Sequence, residues 1–157
     1  MSLIAGIDFS SHQIDIVTLD ENTNHATHHT YTLDTPGSDA FTRARQVRHA
    51  MPTTTFWDDT LAIGIEDPRG MSRRSDSVLY RIQGAILASI PPILLVQDWK
   101  PSSWRKQLGI AQTGKQAPAE FALNHWQDPP GVVSQDACDA YCIAYATRQR
   151  IVIEEAA

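Results

Sequence analysis

Two short apolar runs, Leu3–Phe9 (LIAGIDF) and Leu61–Glu66 (LAIGIE), each deliver a carboxylate at or near their C-terminal end, Asp8 in the first and Glu66 in the second. Apolar runs of this length read as buried strands. A strand covered on both faces requires a sheet with other elements packed over it, and a charge at its end requires something there to meet that charge. The rest of the chain fits such a sheet. Ile14, Ile16 and Thr18 alternate with Asp15, Val17 and Leu19 as a second strand, and His25–Leu33 alternates as a third, so the first three strands form an antiparallel meander.

Pro36-Gly37-Ser38 opens a helical stretch to about Met51, with Phe41, Ala44, Val47 and Met51 on one stripe. After Leu61–Glu66, the Asp67–Ser75 segment has breakers and charge without periodicity and reads as a loop. Val78, Leu79, Ile82, Ala85, Ile86 and Ile90 then follow helical spacing, and Leu87 and Ala88 widen the stripe, so this helix is expected to be buried on two sides. Ile93–Gln97 reads as a fifth strand, followed by a helix at Ser102–Leu108, a turn at Gly109–Gly114, a helix at Ala117–Trp126 and a last helix from about Ser134 to Ile151. The order β-β-β-α-β-α-β-α-α-α predicts an α/β fold, a five-stranded mixed sheet with three antiparallel strands plus two parallel ones, flanked by helices.

A chain of 157 residues is expected to form a single domain spanning 1–157. The most apolar run, Ile90 to Val96, has seven residues and two prolines, far short of the ~18 that span a bilayer. The N-terminus lacks the basic stretch of a secretory signal, so the expected location is cytoplasmic. Cys138 and Cys142, four apart in a helical pattern, read as free thiols.

Net charge is −5, but it is unevenly distributed. From Arg69 to Lys115 there are eight bases (Arg69, Arg73, Arg74, Arg81, Lys100, Arg105, Lys106, Lys115) against two acids, while the remainder carries five bases and 16 acids. A basic middle between acidic ends suits a protein that binds a polyanion and holds metal elsewhere.

Asp136 and Asp139, at i and i+3 on one face of the last helix, join Asp8 and Glu66 as an orderly set of carboxylates. Taken singly, each is ordinary: a strand-end Asp caps turns, and an Asp in a first turn complements the helix dipole. Taken together they repel by about 4 kcal/mol per close pair at an effective dielectric near 20, which calls for a compensating cation. An all-oxygen ligand set points to Mg²⁺ or Mn²⁺.

In order and spacing, IAGIDFSS, LAIGIED, PSSWRKQLGIAQTGK and SQDACDAYCIA resemble the RuvC family of Holliday-junction resolvases, within the RNase H-like nuclease superfamily. The resemblance covers nearly the whole chain. It implies that Asp8, Glu66, Asp136 and Asp139 hold two Mg²⁺ ions, with Mn²⁺ able to substitute, and that Lys115 contacts the scissile phosphate. It also implies cleavage of branched DNA by two-metal phosphodiester hydrolysis, and the two-fold symmetry of a four-way junction adds a homodimer. Candidate DNA contacts are Arg69, Arg73, Arg74, Lys100, Arg105, Lys106 and Lys115. The loop after Glu66 departs from many family members: it reads Asp67-Pro68-Arg69-Gly70-Met71 and lacks an aromatic, leaving Arg69 to contact phosphate or stack on a base.

His25, His28 and His29 form no single metal site, because alternation divides them between two faces. His12 follows Asp8 and reads as an exposed turn residue. Trp99 and Trp104, interleaved with Lys100, Arg105 and Lys106, suit a nucleic-acid surface and core packing equally. A GIDFSS segment also opens actin-like ATPases, but those need a second domain and a second phosphate loop. Two other functions stay open: an RNase H-type ribonuclease acting on RNA–DNA hybrids, and a non-catalytic branched-DNA-binding module.

Overall fold

The computed structural model describes residues 2–33, 39–68, 73–110, 114 and 116–155, the side chains of 73–76, 153 and 155 excepted. Strands β1 (Leu3–Phe9), β2 (Gln13–Asp20), β3 (Ala26–Thr32), β4 (Thr60–Glu66) and β5 (Leu95–Trp99) form one sheet in the order β3-β2-β1-β4-β5. The pairs β1–β2 and β2–β3 are antiparallel, and β1–β4 and β4–β5 are parallel. The predicted mixed sheet is therefore the observed one.

Strand alternation divides the sheet into two unlike faces. Ala5, Ile7, Ile14, Ile16, Ile63 and Ile65 point to one face and pack with Val47 of α1 (Ala40–Ala50), with Ile82 and Ile86 of α2 (Arg73–Leu87), and with Trp57. Asp39 caps α1, its carboxylate accepting the Thr42 N–H at 2.7 Å. The opposite face carries Gly6, Val17, Leu19, Gly64 and Trp99, and α5 (Gln135–Glu155) lies against it. Helices α3 (Pro101–Gln107) and α4 (Ala117–His125) cover the far side of α5. For this reason α5 is buried at Ala137, Cys138, Ala140, Tyr141, Cys142, Ile143, Ala144, Ala146 and Thr147, more than one face's worth.

Several boundaries differ from the sequence reading. Helix α2 begins at Arg73, inside the stretch expected to be loop, and ends at Leu87. Its buried side chains, Ile82 and Ile86, lie on one side, whereas Tyr80 and Leu87 are 41% and 40% exposed, so within this chain it is covered on one face. Strand β5 starts two residues later than expected. The Leu94 N–H closes a turn onto the Pro91 carbonyl, so Ile93 and Leu94 belong to the turn despite their hydrophobicity. A 3₁₀ turn at Thr54–Trp57 had no periodic signal, and it seats Trp57 in the core. Among the described residues no helix is long and apolar enough to cross a membrane.

Candidate active site

The site is built by how closely α5 approaches the sheet. Gly6 and Gly64 are partners across β1 and β4. A Cβ on Gly6 would stand 2.0 Å from the Ala140 carbonyl oxygen and 2.5 Å from the Ala144 nitrogen. A Cβ on Gly64 would stand 2.2 Å from Thr147 Oγ1 and 2.8 Å from Ile143 Cγ2. Only glycine at both positions permits this contact. Because residues four apart stack along a helix, one row of α5, Asp136–Ala140–Ala144, runs over β1, and the next, Asp139–Ile143–Thr147, runs over β4. Each row places its carboxylate at the strand end where Asp8 and Glu66 emerge.

The electrostatics follow this arrangement. Burial first, then the charges of Glu66, Asp139, Asp136 and Asp15, hold the Asp8 carboxyl well above the usual carboxylate range. Burial pushes Glu66 up to about 7; the Asp139 charge adds to this, against the lowering effects of the Trp104 hydrogen bond and the Arg105 charge. Asp139 is raised by burial and by Asp136, opposed by a hydrogen bond from Gln135 Nε2 at 3.1 Å and by Arg105. Asp136 is raised by burial and by Asp15. All four sequence-predicted carboxylates thus sit in one field, and each is harder to ionise than it would be in water.

That field suits a hard divalent cation, which would meet oxygen ligands and relieve the repulsion. As they stand, no three His, Cys, Asp or Glu side chains among the described residues are arranged to enclose an ion. The chemistry of the donors fits Mg²⁺ or Mn²⁺: Asp8, Glu66, Asp136 and Asp139 are the groups that would hold it.

Two residues that sequence reasoning left out or left open, Trp104 and Asp15, shape this cluster. Trp104, fully buried on α3, donates its indole Nε1–H to Glu66 Oε2 at 2.9 Å and so fixes the direction of that carboxylate. Trp99 is equally a packing residue, 4% exposed with Nε1 donating to Thr147 Oγ1 at 2.9 Å, so neither tryptophan forms a nucleic-acid surface. Asp15 is 1% exposed and lies opposite Asp8 in the β1–β2 register. A signal for it existed: Asp15 shares its strand face with Val17 and Leu19, which marks that face as covered.

The expected DNA contacts are scattered. Arg105 is half-buried, its guanidinium 5.0 Å from the Trp104 ring centroid, and its charge bears on Glu66 and Asp139. Lys100, at the start of α3, and Lys106 are exposed. Arg73 and Arg74 fall in the first turn of α2, with their side chains outside the described residues, as are Arg69 and Lys115 entirely. Of the residues set aside, His12 is exposed. His28 turns toward Asp15 while His29 packs edge-on to Phe56 on the other face, centroids 5.0 Å apart, so no site gathers the histidines. Cys138 and Cys142 are buried free thiols; burial pushes the Cys138 thiol up to about 11.

A five-stranded mixed sheet in the order β3-β2-β1-β4-β5, with acidic residues at the ends of β1 and β4 and on the helix that crosses them, is an RNase H-like fold. Within that class the chain has the architecture of RuvC. It aligns with RuvC from Thermus thermophilus at a TM-score of 0.72 and 15% identity, over 97% of this chain and 96% of that one. The same protein in complex with a Holliday junction substrate aligns at a TM-score of 0.69 and 14% identity, over the same shares. The sequence matches no family model and no curated protein.

Proposed function

We propose that this chain, as a single nuclease domain spanning residues 1–157, is a metal-dependent, structure-specific DNA endonuclease that cuts four-way junctions and related branched DNA. The observation that carries the reading is the convergence of Asp8, Glu66, Asp136 and Asp139 in one field, each carboxyl raised by burial and three of them by one another. Structural proteins have no use for such mutual repulsion, and a site for two Mg²⁺ ions requires it. Similarity in fold to a RuvC bound to a Holliday junction substrate supports the substrate class.

Bound there, the ions would activate a water and stabilise the leaving 3′-oxygen, giving a 5′-phosphate. The chain's own groups divide the remaining work. Asp8, at the end of β1, would hold the ions together with Glu66 and Asp139 on the β4 side and Asp136 on the β2 side. Trp104 holds the Glu66 carboxylate in one orientation, which limits the reorganisation needed when charge develops. Lys115 would supply a point charge to the phosphate and Arg69 a contact in the loop after Glu66. Arg73, Arg74, Lys100, Arg105 and Lys106 would neutralise phosphates of the arms. Replacing Arg73 and Arg74 by Ala should flatten the slope of log affinity against log salt, by about 0.9 for each phosphate no longer neutralised. Exposed Tyr80 and Leu87 on α2 offer a surface for a homodimer, which two matched cuts in a two-fold junction require; light scattering showing only a 17.4 kDa species at tens of micromolar would remove that part.

The deciding experiment is a panel of labelled four-way, flap, fork and linear duplex DNAs and an RNA–DNA hybrid, each with Mg²⁺. Paired cuts in the four-way junction, absent without metal, are expected. Cutting of the hybrid alone would make the protein a ribonuclease, and binding without any cutting would make it a binding module.

A further inference from the structure

Asp15 is difficult to explain as architecture. Its strand neighbours on the same face, Val17 and Leu19, extend the apolar core, and an apolar side chain at position 15 would continue it without the several kcal/mol that burying a carboxylate costs. Instead the carboxylate is 1% exposed and every oxygen is engaged. Oδ1 accepts from His28 Nε2 at 2.7 Å and from Thr30 Oγ1 at 2.9 Å, and Oδ2 accepts from Gln13 Nε2 at 2.6 Å. Since a carboxylate only accepts, His28 Nε2 carries the proton in this pair. Three of the carboxylate's roughly four lone-pair sites are thus spent on side chains of β2 and β3, which hold it in place from the sheet.

Its position relative to the four carboxylates is the second observation. Asp15 is the cross-strand partner of Asp8, so the two side chains leave the sheet side by side on the face that α5 covers. Asp136 lies on the α5 row nearest β2. The Asp15 charge reaches both, raising each carboxyl.

Resting on the reading of the cluster as a divalent-cation site, we propose that Asp15 is a positioning residue: a fixed negative charge, clamped by His28, Thr30 and Gln13, that strengthens cation binding at Asp8 and Asp136 without touching the ion. The clamp explains the strand that supplies it. His28 and Thr30 stand two apart on β3, on one face, and meet the same oxygen, so the otherwise exposed edge strand anchors a charge beside the site.

The test is Mn²⁺ binding by isothermal titration calorimetry on the full chain, with no DNA present, alongside circular dichroism to confirm folding. Asp15→Asn keeps the shape and the contacts to His28 and Thr30 but removes the charge. Its affinity for Mn²⁺ should fall about tenfold, the scale of one unit charge acting on a divalent ion across several ångströms of well-screened surroundings. Asp8→Asn should abolish binding. Wild-type affinity in a folded Asp15→Asn overturns the proposal and leaves the metal site intact. Absence of Mn²⁺ binding by the wild type, or full binding by Asp8→Asn, overturns the metal reading and this inference with it. Should Asp15→Asn not fold, His28→Lys cancels the same charge from the edge strand while leaving Asp15 in place; it must weaken Mn²⁺ binding by a similar factor, and unchanged affinity there equally overturns the proposal.

Discussion

The two faces of the sheet come from the same strands, one residue out of phase, and they solve opposite problems. Toward α1 and α2 the sheet presents Ala5, Ile7, Ile14, Ile16, Ile63 and Ile65, a surface whose only task is to leave water. Toward α5 it presents a second apolar core with Val17, Leu19 and Trp99, but there Gly6 and Gly64 let backbone meet backbone, and Asp8, Asp15 and Glu66 crowd charges at one end. Apolar burial on both faces generates the stability that the charged end of the second consumes. A strand lets a protein hold a strained, charged site rigidly because each residue of the site alternates with a residue of the core.

The largest way to break the contrast is chemical. Asp8→Asn preserves shape and removes a charge, so junction cleavage should fall by several orders of magnitude while junction affinity, read by gel shift, holds or rises. Ca²⁺ with the wild type should reproduce that pattern, because its loose geometry positions water and phosphate poorly. Full cleavage by the variant would take Asp8 out of the site.

Next comes the effect of pH on the metal-free protein. A carboxyl raised from 4.5 to about 7 on folding binds its proton more tightly when folded, so its contribution is unfavourable once the unfolded chain ionises. The contribution of this carboxyl to stability should decline as pH rises from about 4.5 to about 7 and then level. Glu66→Gln, which can still accept the Trp104 N–H, should be the more stable protein at pH 8, by on the order of 3 kcal/mol, and no more stable at pH 4. Urea melts at the two pH values check this; a destabilised Glu66→Gln at pH 8 would mean the α5 face is not strained by its charges.

Two glycine substitutions sharpen the comparison further. Gly6→Ala forces a methyl onto the α5 backbone and should cost about 3 kcal/mol, lifting α5 and lowering cleavage as well. Gly84→Ala, on α2 with nothing within 4 Å of the added carbon, should stabilise by about 0.5–1 kcal/mol and leave cleavage unchanged. Equal melting temperatures for the two variants would contradict the close approach of α5.

Much of this was legible beforehand because it is local. Apolar runs ending in Asp8 and Glu66, and the three-residue spacing of Asp136 and Asp139, are statements about periodicity, and periodicity is decided within one element. Errors fell where a local rule met a long-range demand. Ile93 and Leu94 have the composition of a strand but close the turn after Pro91, and Arg73–Ser75 look like loop yet are wound into α2. Trp104 sits among charges in the sequence and reads there as much as a DNA contact as a core residue. Only α3 folding back over α5 brings its indole to Glu66 across 38 positions of chain.

By itself, then, the sequence determined which residues share a face and which carry charge at the end of an element: the alternation of β1 and β4, the rows of α5, the acidic ends around a basic middle. Tertiary structure alone decided which faces meet. That Asp136 runs over β1 and beside Asp15, that Asp139 runs over β4 toward Glu66, and that Asp15 faces a closed site rather than water all depend on α5 seating on Gly6 and Gly64. The physical reason is the range of the interactions. Backbone periodicity repeats every two or 3.6 residues and is written in neighbours, whereas the fit of a helix against a sheet joins segments far apart in the chain, Gly6 with Ala140 and Gly64 with Thr147, and exists only once both have formed.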